Sequence, residues 1–251
     1  MAAVGLEDKE LCPPGKSSLS VGDSGGSLLF ESNGRHSHVG ISTGTVGIED
    51  NHVPDLYQQI TCLVFAAEEV PPVDKRILRK IAMEPGMHSL LLETTNIDDA
   101  WIQEFASWKK LCFVDLRVEC NDAVRKLLSK LLDQKQLLLL CFASDGPEEI
   151  HLGLEFLKQD QFQRLMFREF KQDFWKCFWR IDSAKLKGKT IAFHAYVKLH
   201  SKTSQRTKVG NRNIRYESSD RIVRYSNVNG TLEMDEKEFL RSVTYSSVQF
   251  L

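Results

Sequence analysis

Residues 137–142 read Leu-Leu-Leu-Leu-Cys-Phe, and residues 163–167 read Gln-Arg-Leu-Met-Phe. The first run is apolar, the second ends in three apolar residues, and both have the length of a buried β-strand. Similar short runs occupy 89–92, 111–116 and 190–193. Four residues within these runs follow one another at intervals of 26, namely Phe113, Leu139, Leu165 and Ile191. A strand that recurs at a fixed interval of this size is typical of a solenoid.

Helix-like segments separate the runs. In segment 122–132 the apolar residues share one helix face, and they are Val124, Leu127, Leu128, Leu131 and Leu132. Segment 148–157 follows a proline suited to a helix start and places Ile150, Leu154 and Leu157 on one face. Segment 173–181 is a third candidate. These patterns predict a mixed α/β protein with a leucine-rich-repeat-like α/β solenoid. The alternative is a compact α/β domain in which the equal spacing is coincidental.

Residues 73–245 resemble the leucine-rich-repeat-like region of F-box-type proteins that are abundant in nematodes. The resemblance rests on the repeat rhythm and on residues 162–165 (Phe-Gln-Arg-Leu), which follow 157–159 (Leu-Lys-Gln). It implies a surface that binds a protein or peptide partner rather than a catalytic site.

The N-terminal part has a different composition. Residues 12–60 are rich in Gly, Ser and Thr, with strands predicted at 27–31, 37–43 and 56–61. Asn33-Gly34 lies between the first two and predicts a hairpin, because both residues tolerate positive φ. A partial antiparallel β segment is therefore expected to precede the solenoid.

Residues 22–26 read Gly-Asp-Ser-Gly-Gly, 39–44 read Val-Gly-Ile-Ser-Thr-Gly, and 54–57 read Pro-Asp-Leu-Tyr. In this order they resemble the C-terminal segment of chymotrypsin-like (trypsin-family) serine peptidases, over residues 12–61. The resemblance implies part of a trypsin-like barrel. The site it implies has Ser24 as nucleophile, the N–H groups of Gly22 and Ser24 as oxyanion hole, and substrate contacts from Ser18, Ser42, Thr43 and Gly44.

The histidine and aspartate of the triad are missing. A serine hydroxyl needs a histidine base and an orienting carboxylate, and in this family both precede the serine in the chain. None of the residues before Ser24 is a histidine, and Asp8 lies in an ordinary acidic stretch. The histidines that follow are predicted to be exposed polar residues, and they are His36, His38 and His52. The segment is therefore predicted to be truncated and inactive.

Three domains are predicted, at 1–70, 71–197 and 198–251, with a break at Pro71-Pro72. The net charge of -1 gives no whole-chain electrostatic case for nucleic acid. No apolar run approaches the ~18 residues of a membrane span, so no membrane contact is expected. The N-terminus has no signal-peptide pattern, which favours an intracellular protein, although the peptidase family is usually secreted.

Six cysteines are scattered without a Cys-x-x-Cys pair, and no histidine partners lie nearby. They are predicted to be free thiols, and neither a metal nor a cofactor is expected.

Between Lys198 and Arg224 eight basic residues stand against two acidic ones. This stretch is predicted to be a solvated basic loop, with a phosphate or acidic-partner patch as the alternative. After it, segments 220–225 and 230–234 are predicted to form a hairpin, followed by a short helix at 235–241.

Three interpretations follow. The first is a trypsin-family-related protein, inactive and fused to a repeat-like domain. The second is a non-catalytic interaction module of F-box-associated leucine-rich-repeat type. In the third, two unrelated coding regions are joined between residues 60 and 75, which the transcript sequence would show.

Overall fold

The computed structural model describes residues 25–32, 35–45, 59–66, 75–83, 86–169, 183–200, 204–209, 212–227 and 236–251. The chain divides into two compact units, Met1–Leu127 and Leu128–Leu251. Strands and helices alternate in both, which confirms the mixed α/β class. The finer prediction, a solenoid preceded by part of a trypsin-like barrel, stays a proposal, and so do the predicted domain boundaries.

The described strands of the first unit follow the order β1-β2-β3-β4-β5. Their bounds are β1 (Gly25–Ser32), β2 (Arg35–Thr45), β3 (Gln59–Ala66), β4 (Met87–Leu92) and β5 (Leu111–Leu116). The β1–β2 and β2–β3 pairs are antiparallel, whereas β3–β4 and β4–β5 are parallel. Helices α1 (Lys75–Met83) and α2 (Asp99–Ser107) connect the parallel strands. Helix α3 (Asp122–Gln134) follows β5.

One face of this sheet is the core of the first unit. Leu63 and Phe65 of β3 are fully buried, whereas the alternate residues Cys62 and Val64 are half-buried. The Phe65 ring lies 4.8 Å from the ring of Trp101 and 5.7 Å from that of Phe105, both on α2. The burial of these aromatic side chains fixes α2 against β3.

Side-chain caps start the helices of the first unit. Asp98 accepts a hydrogen bond from the Trp101 N–H at the start of α2, over 2.9 Å. Asn121 accepts one from the Val124 N–H at the start of α3 and donates its amide to the Thr95 carbonyl. The α3 prediction is confirmed, because Val124, Leu127, Leu128 and Leu131 are fully buried.

The N-terminal strand predictions are confirmed for β1 and β2. Their pairing runs to Ser32 opposite Arg35, and Asn33-Gly34 lies outside the described residues. The third strand was predicted too early. It is Gln59–Ala66, because its apolar second half is buried against α2. This strand pairs with β4, from Ile60 opposite Met87 to Phe65 opposite Leu92. The Gly/Ser-rich segment is thereby paired with the first repeat-like strand.

The described strands of the second unit follow the order β6-β7-β8-β12-β11-β10-β9. Their bounds are β6 (Leu139–Phe142), β7 (Arg164–Phe167), β8 (Thr190–Phe193), β9 (Gln205–Val209), β10 (Asn213–Glu217), β11 (Arg221–Ser226) and β12 (Tyr245–Phe250). The pairs β6–β7 and β7–β8 are parallel, and the remaining neighbours are antiparallel. Helix α4 (Pro147–Leu157), a 3-10 helix (Ser183–Leu186) and α5 (Glu236–Arg241) complete the unit.

The register shows how regular the repeat is. Leu165 lies opposite Ile191, at the predicted interval of 26, but Leu165 pairs with Leu140 on its other side, an interval of 25. In the first unit the intervals are 27 between β3 and β4 and 24 between Ser89 and Phe113. The pairing register therefore departs by one to two residues from the constant sequence spacing of 26 in these pairs. Helix length alone does not account for this, because α1 and α2 both have nine residues.

Three stacked rings form the core of the parallel strands in the second unit. Phe142 lies 5.7 Å from Phe167, and Phe167 lies 6.0 Å from Phe193, with interplanar angles of 18° and 16°. All three side chains are essentially inaccessible to solvent. Each occupies the last position of its strand, so equivalent residues of neighbouring strands stack directly.

Helix α4 begins at Pro147, as predicted. Its buried face differs from the predicted one, because Gly153 and Phe156 are buried together with Ile150 and Leu157, whereas Leu154 is half-buried. Gly153 allows the helix to approach β7. A β-carbon built there would lie 2.7 Å from Cδ2 of Leu165, which is itself fully buried.

We expect Gly153→Ala to lower the free energy of unfolding by about 1–2 kcal/mol. Overpacking against Leu165 costs about 1–3 kcal/mol, and the gain of about 1 kcal/mol in helix propensity offsets only part of it. Urea unfolding measures the difference, with His151→Ala at an exposed position of the same helix as control. Stabilisation by Gly153→Ala would show that Leu165 moves aside without cost.

A buried lysine ties the turn after α4 to β8. The Lys189 ammonium group donates hydrogen bonds to the carbonyl oxygens of Gln159 (2.6 Å), Asp160 (3.0 Å) and Phe162 (2.6 Å). Desolvation lowers the pKa of Lys189, and the Asp160 carboxylate partly opposes this. The three carbonyls precede β7. The Gln159 carbonyl also accepts the Phe162 N–H within the turn, and the lysine supplies a charged donor to all three.

The predicted basic loop is wrong. Its described residues form β9, β10 and the first half of β11, three antiparallel strands. The predicted hairpin of 220–225 with 230–234 is also wrong, because both edges of β11 are already occupied by β10 and β12. The short helix at the end is confirmed as α5. The third predicted helix, 173–181, lies outside the described residues.

Candidate functional site

The second unit contains a cluster of four rings, Tyr196, His200, Tyr216 and Tyr225, called here the aromatic cluster. The His200 and Tyr216 rings are stacked 4.0 Å apart at 9°, and Tyr225 contacts both nearly edge-on. Tyr196 lies 5.4 Å from Tyr225. Successive side chains of a strand lie on opposite faces, and Tyr216 of β10 and Tyr225 of β11 both lie on the buried face. Segment 196–200 packs over them there.

The Tyr225 hydroxyl group organises the cluster. Its oxygen accepts the backbone N–H of Leu199 (2.8 Å) and lies 3.4 Å from that of His200. Its proton therefore points to His200 Nδ1, 2.8 Å away, which leaves a neutral imidazole with the proton on Nε2. Desolvation, and secondarily the charge of Lys198, lowers the pKa of His200, in agreement with a neutral imidazole.

Glu236, at the start of α5, closes the cluster. One of its carboxylate oxygens accepts the Tyr216 hydroxyl proton, and the other is 3.0 Å from Nη1 of Arg206. Burial and the Glu236 carboxylate together raise the pKa of Tyr216. Burial likewise raises the pKa of Tyr225. Both phenols therefore stay protonated at neutral pH, and neither supplies a general base.

A surface pocket of about 440 Å³ lies beside the cluster, lined by Tyr196, Glu236, Lys237, Leu240 and Arg241. We call it the α5 pocket. Lys237 and Arg241 are four residues apart, so they share one side of the helix, and both are exposed. Leu240 and Tyr196 are half-buried and supply its apolar surface. The size is within the usual range for small binding sites.

The polar groups of the cluster and the lining of the α5 pocket differ in what they offer a ligand. In the described part of the chain, the titratable atoms of the cluster bond mainly to one another, and no group of three His, Cys, Asp or Glu residues is placed to hold a metal ion. The α5 pocket combines an apolar wall with two cationic side chains. Such a combination offers a ligand both apolar contact and positive charge.

The residues predicted for the peptidase-like site are only partly placed. Ser18, Gly22 and Ser24 lie outside the described residues. Ser42, Thr43 and Gly44 lie on β2, where they pair with Cys62, Thr61 and Ile60 of β3. Gly25, the residue after Ser24, pairs with Ser42. The structure thus places the residue that follows the nucleophile position beside the first residue of the predicted pocket edge.

Four cysteines, Cys62, Cys112, Cys120 and Cys141, are free thiols, as predicted. Burial raises the pKa of Cys112 to about 11, so this thiol is not a reactive thiolate. Cys12 and Cys177 lie outside the described residues. Helices long and apolar enough to cross a membrane are lacking among the described residues.

Sequence reasoning missed Tyr196, His200 and Glu236. These residues come from a connecting segment and from α5, far apart in the chain. One available signal was the alternation of Ile214 with Tyr216 and of Val223 with Tyr225, which indicates two half-buried strands rather than a basic loop.

We expect the protein to lose stability as the pH falls below about 6.5, the unperturbed value for histidine. Because the folded state lowers the pKa of His200, the unfolded chain binds more protons in that range, so acid favours unfolding. The free energy of unfolding, measured by urea titration between neutral and mildly acid pH, should depend less on pH in His200→Gln. The control His151→Gln should keep the wild-type dependence. If the free energy of unfolding of His200→Gln depended on pH as strongly as that of wild type, the assignment of this pH dependence to His200 would be wrong.

Comparisons with protein-family models, with curated proteins and with solved structures found no match to this chain.

Proposed function

We propose that this chain is a non-catalytic binding protein that recognises a peptide segment of a protein partner through the α5 pocket. One observation carries the proposal. The pocket presents positive charge from Lys237 and Arg241 and apolar surface from Leu240 and Tyr196. The polar groups beneath these side chains are hydrogen-bonded or ion-paired within the protein. The resemblance of residues 73–245 to F-box-associated repeats points to the same class of function.

Peptide display tests the proposal. The full-length chain is used to select from a random peptide library, and each enriched peptide is then measured by isothermal titration against wild type and Tyr196→Ala/Leu240→Ala. We expect enriched peptides whose affinity falls about tenfold in the double variant, because two apolar contacts of roughly 1 kcal/mol are lost.

The matched control is Lys185→Ala/Lys187→Ala, at exposed positions in and just after the 3-10 helix of the same unit. It should bind like wild type. The proposal fails if no peptide is enriched, or if the pocket variant binds every enriched peptide as tightly as wild type.

We propose in addition that the N-terminal segment is related to trypsin-family peptidases and is inactive. The register of β1 with β2 favours it, because it brings Gly25 opposite Ser42 within an antiparallel three-strand arrangement. Without a histidine before Ser24, turnover is expected to fall by about 10⁶ relative to a complete triad.

A fluorophosphonate probe, which labels activated serines, tests this second proposal. We expect no labelling of the full-length chain above that of Ser24→Ala, with a complete trypsin-family peptidase as positive control. Labelling that disappears in Ser24→Ala would contradict the predicted inactivity.

A further inference from the structure

We propose that the ligand of the α5 pocket is an acidic peptide in which a carboxylate side chain lies next to an apolar one. This inference rests on the proposed function and names the chemistry of its partner. Its starting point is the distribution of charge around α5.

Among the described residues that line the pocket, Glu236 is the one carboxylate, and its charge is already compensated. Glu236 accepts the Tyr216 hydroxyl proton with one oxygen and pairs with Arg206 through the other. A ligand cation would have to compete with both partners. Glu236 is therefore a poor anchor for a basic ligand.

The two lining cations are open to a ligand. Within the described ranges, no carboxylate lies at ion-pair distance from Lys237 or Arg241. Since they are four residues apart on α5, their head groups can approach one ligand anion from the same side. Lys198 is exposed nearby in the same unit and adds to the positive potential.

The apolar wall of the pocket favours a ligand that has an apolar group over a small inorganic anion. Leu240 lies between the two cations in the sequence, and Tyr196 contributes a half-buried ring. A ligand that buries an aliphatic side chain here while its neighbouring carboxylate reaches Lys237 or Arg241 uses both features. An acidic peptide has this chemistry, whereas a nucleic acid backbone supplies charge without an aliphatic group.

Fluorescence anisotropy with the full-length chain tests the inference. The probe is a short fluorescein-labelled peptide of alternating Glu and Leu, with a Gln-Leu peptide of the same length as the uncharged comparison. We expect the Glu-Leu peptide to bind, and Lys237→Glu/Arg241→Glu to weaken it by about tenfold or more through loss of two ion pairs and added repulsion. Leu240→Gln should also weaken it, by several-fold.

The matched control is Lys185→Glu/Lys187→Glu, which makes the same charge change at exposed positions elsewhere in the second unit. It should bind like wild type. Equal weakening in both double variants would show general electrostatic attraction and overturn the inference. So would equal binding of the Gln-Leu peptide, or tighter binding of an oligothymidine that is sensitive to the same α5 substitutions.

The outcome is separable from that of the proposed function. If display enriches peptides that need Tyr196 and Leu240 but carry no acidic residues, the binding function stands and the acidic ligand is refuted. Thermal melting shows whether each variant is folded. The charge substitutions are at exposed side chains, whereas Tyr196 and Leu240 are half-buried, so their variants need this check most.

Discussion

Phe167→Ala should lower the free energy of unfolding by about 4 kcal/mol, the largest effect expected for a single substitution in the described chain. Phe167 is the central ring of three, and it stacks on Phe142 on one side and on Phe193 on the other. Truncation leaves a cavity between two parallel strands that are fully packed. Both neighbouring rings lose a contact at once, so the site cannot collapse from one side.

Equilibrium urea unfolding measures this loss. The control is Met166→Ala, the preceding residue on β7, whose side chain points to the other face and is half-buried. Met166→Ala should lower the free energy of unfolding by about 1–2 kcal/mol less than truncation of a fully buried side chain does. Because Phe167→Ala could prevent folding altogether, Phe167→Leu provides a milder test at about 1–1.5 kcal/mol. Equal losses for Met166→Ala and Phe167→Ala would refute the central role of the stack.

Lys189→Met should lower the free energy of unfolding by about 3 kcal/mol. The substitution keeps the aliphatic stem but removes the ammonium group, which takes this donor from the carbonyls of Asp160 and Phe162 and leaves the Gln159 carbonyl with the backbone N–H of Phe162. Hydrogen bonds to a charged group contribute about 1.5–3 kcal/mol each and are not additive. The residue itself is only 8% exposed, so water replaces the lost donor poorly.

The matched control for this substitution is Lys187→Met, two residues earlier and exposed. Its effect should stay within about 0.5 kcal/mol. A Lys189→Met protein as stable as wild type would show that the three carbonyls find other partners. Hydrogen exchange of the amides in β7 and β8 gives a second readout, since the loss should be largest for the strands that flank the turn.

The apolar runs predicted the parallel strands because each run is buried against the strands and helices that neighbour it in the sequence. Strands β5 to β8 fall within or close to the predicted runs, and α3 has its predicted apolar face. The pairing register differs from the sequence spacing of 26 in three strand pairs, with intervals of 27, 24 and 25. Periodicity indicates that a strand is present, whereas the length of each connection sets which residues lie opposite one another.

Strands β9 and β10 were hidden by their composition. In β9 the side chains of Gln205, Arg206 and Thr207 are polar or charged and exposed. In Asn213–Glu217 only Ile214 and Tyr216 are buried. A polar strand of this kind is stabilised by partners distant in the sequence, which a local pattern does not show. The aromatic cluster was missed for the same reason, since His200, Tyr225 and Glu236 meet only after β10, β11 and α5 are in place.

The position of β12 also sets an order of assembly. Leu165 finds Ile191 after 26 residues of chain, whereas Ile191 finds Val248 after 57. Closing the longer loop costs more chain entropy, and long-range pairing slows folding. The parallel strands can therefore form in succession as the chain leaves the ribosome. In the strand order, β12 lies between β8 and strands β11, β10 and β9. The aromatic cluster and the α5 pocket are therefore expected to form last.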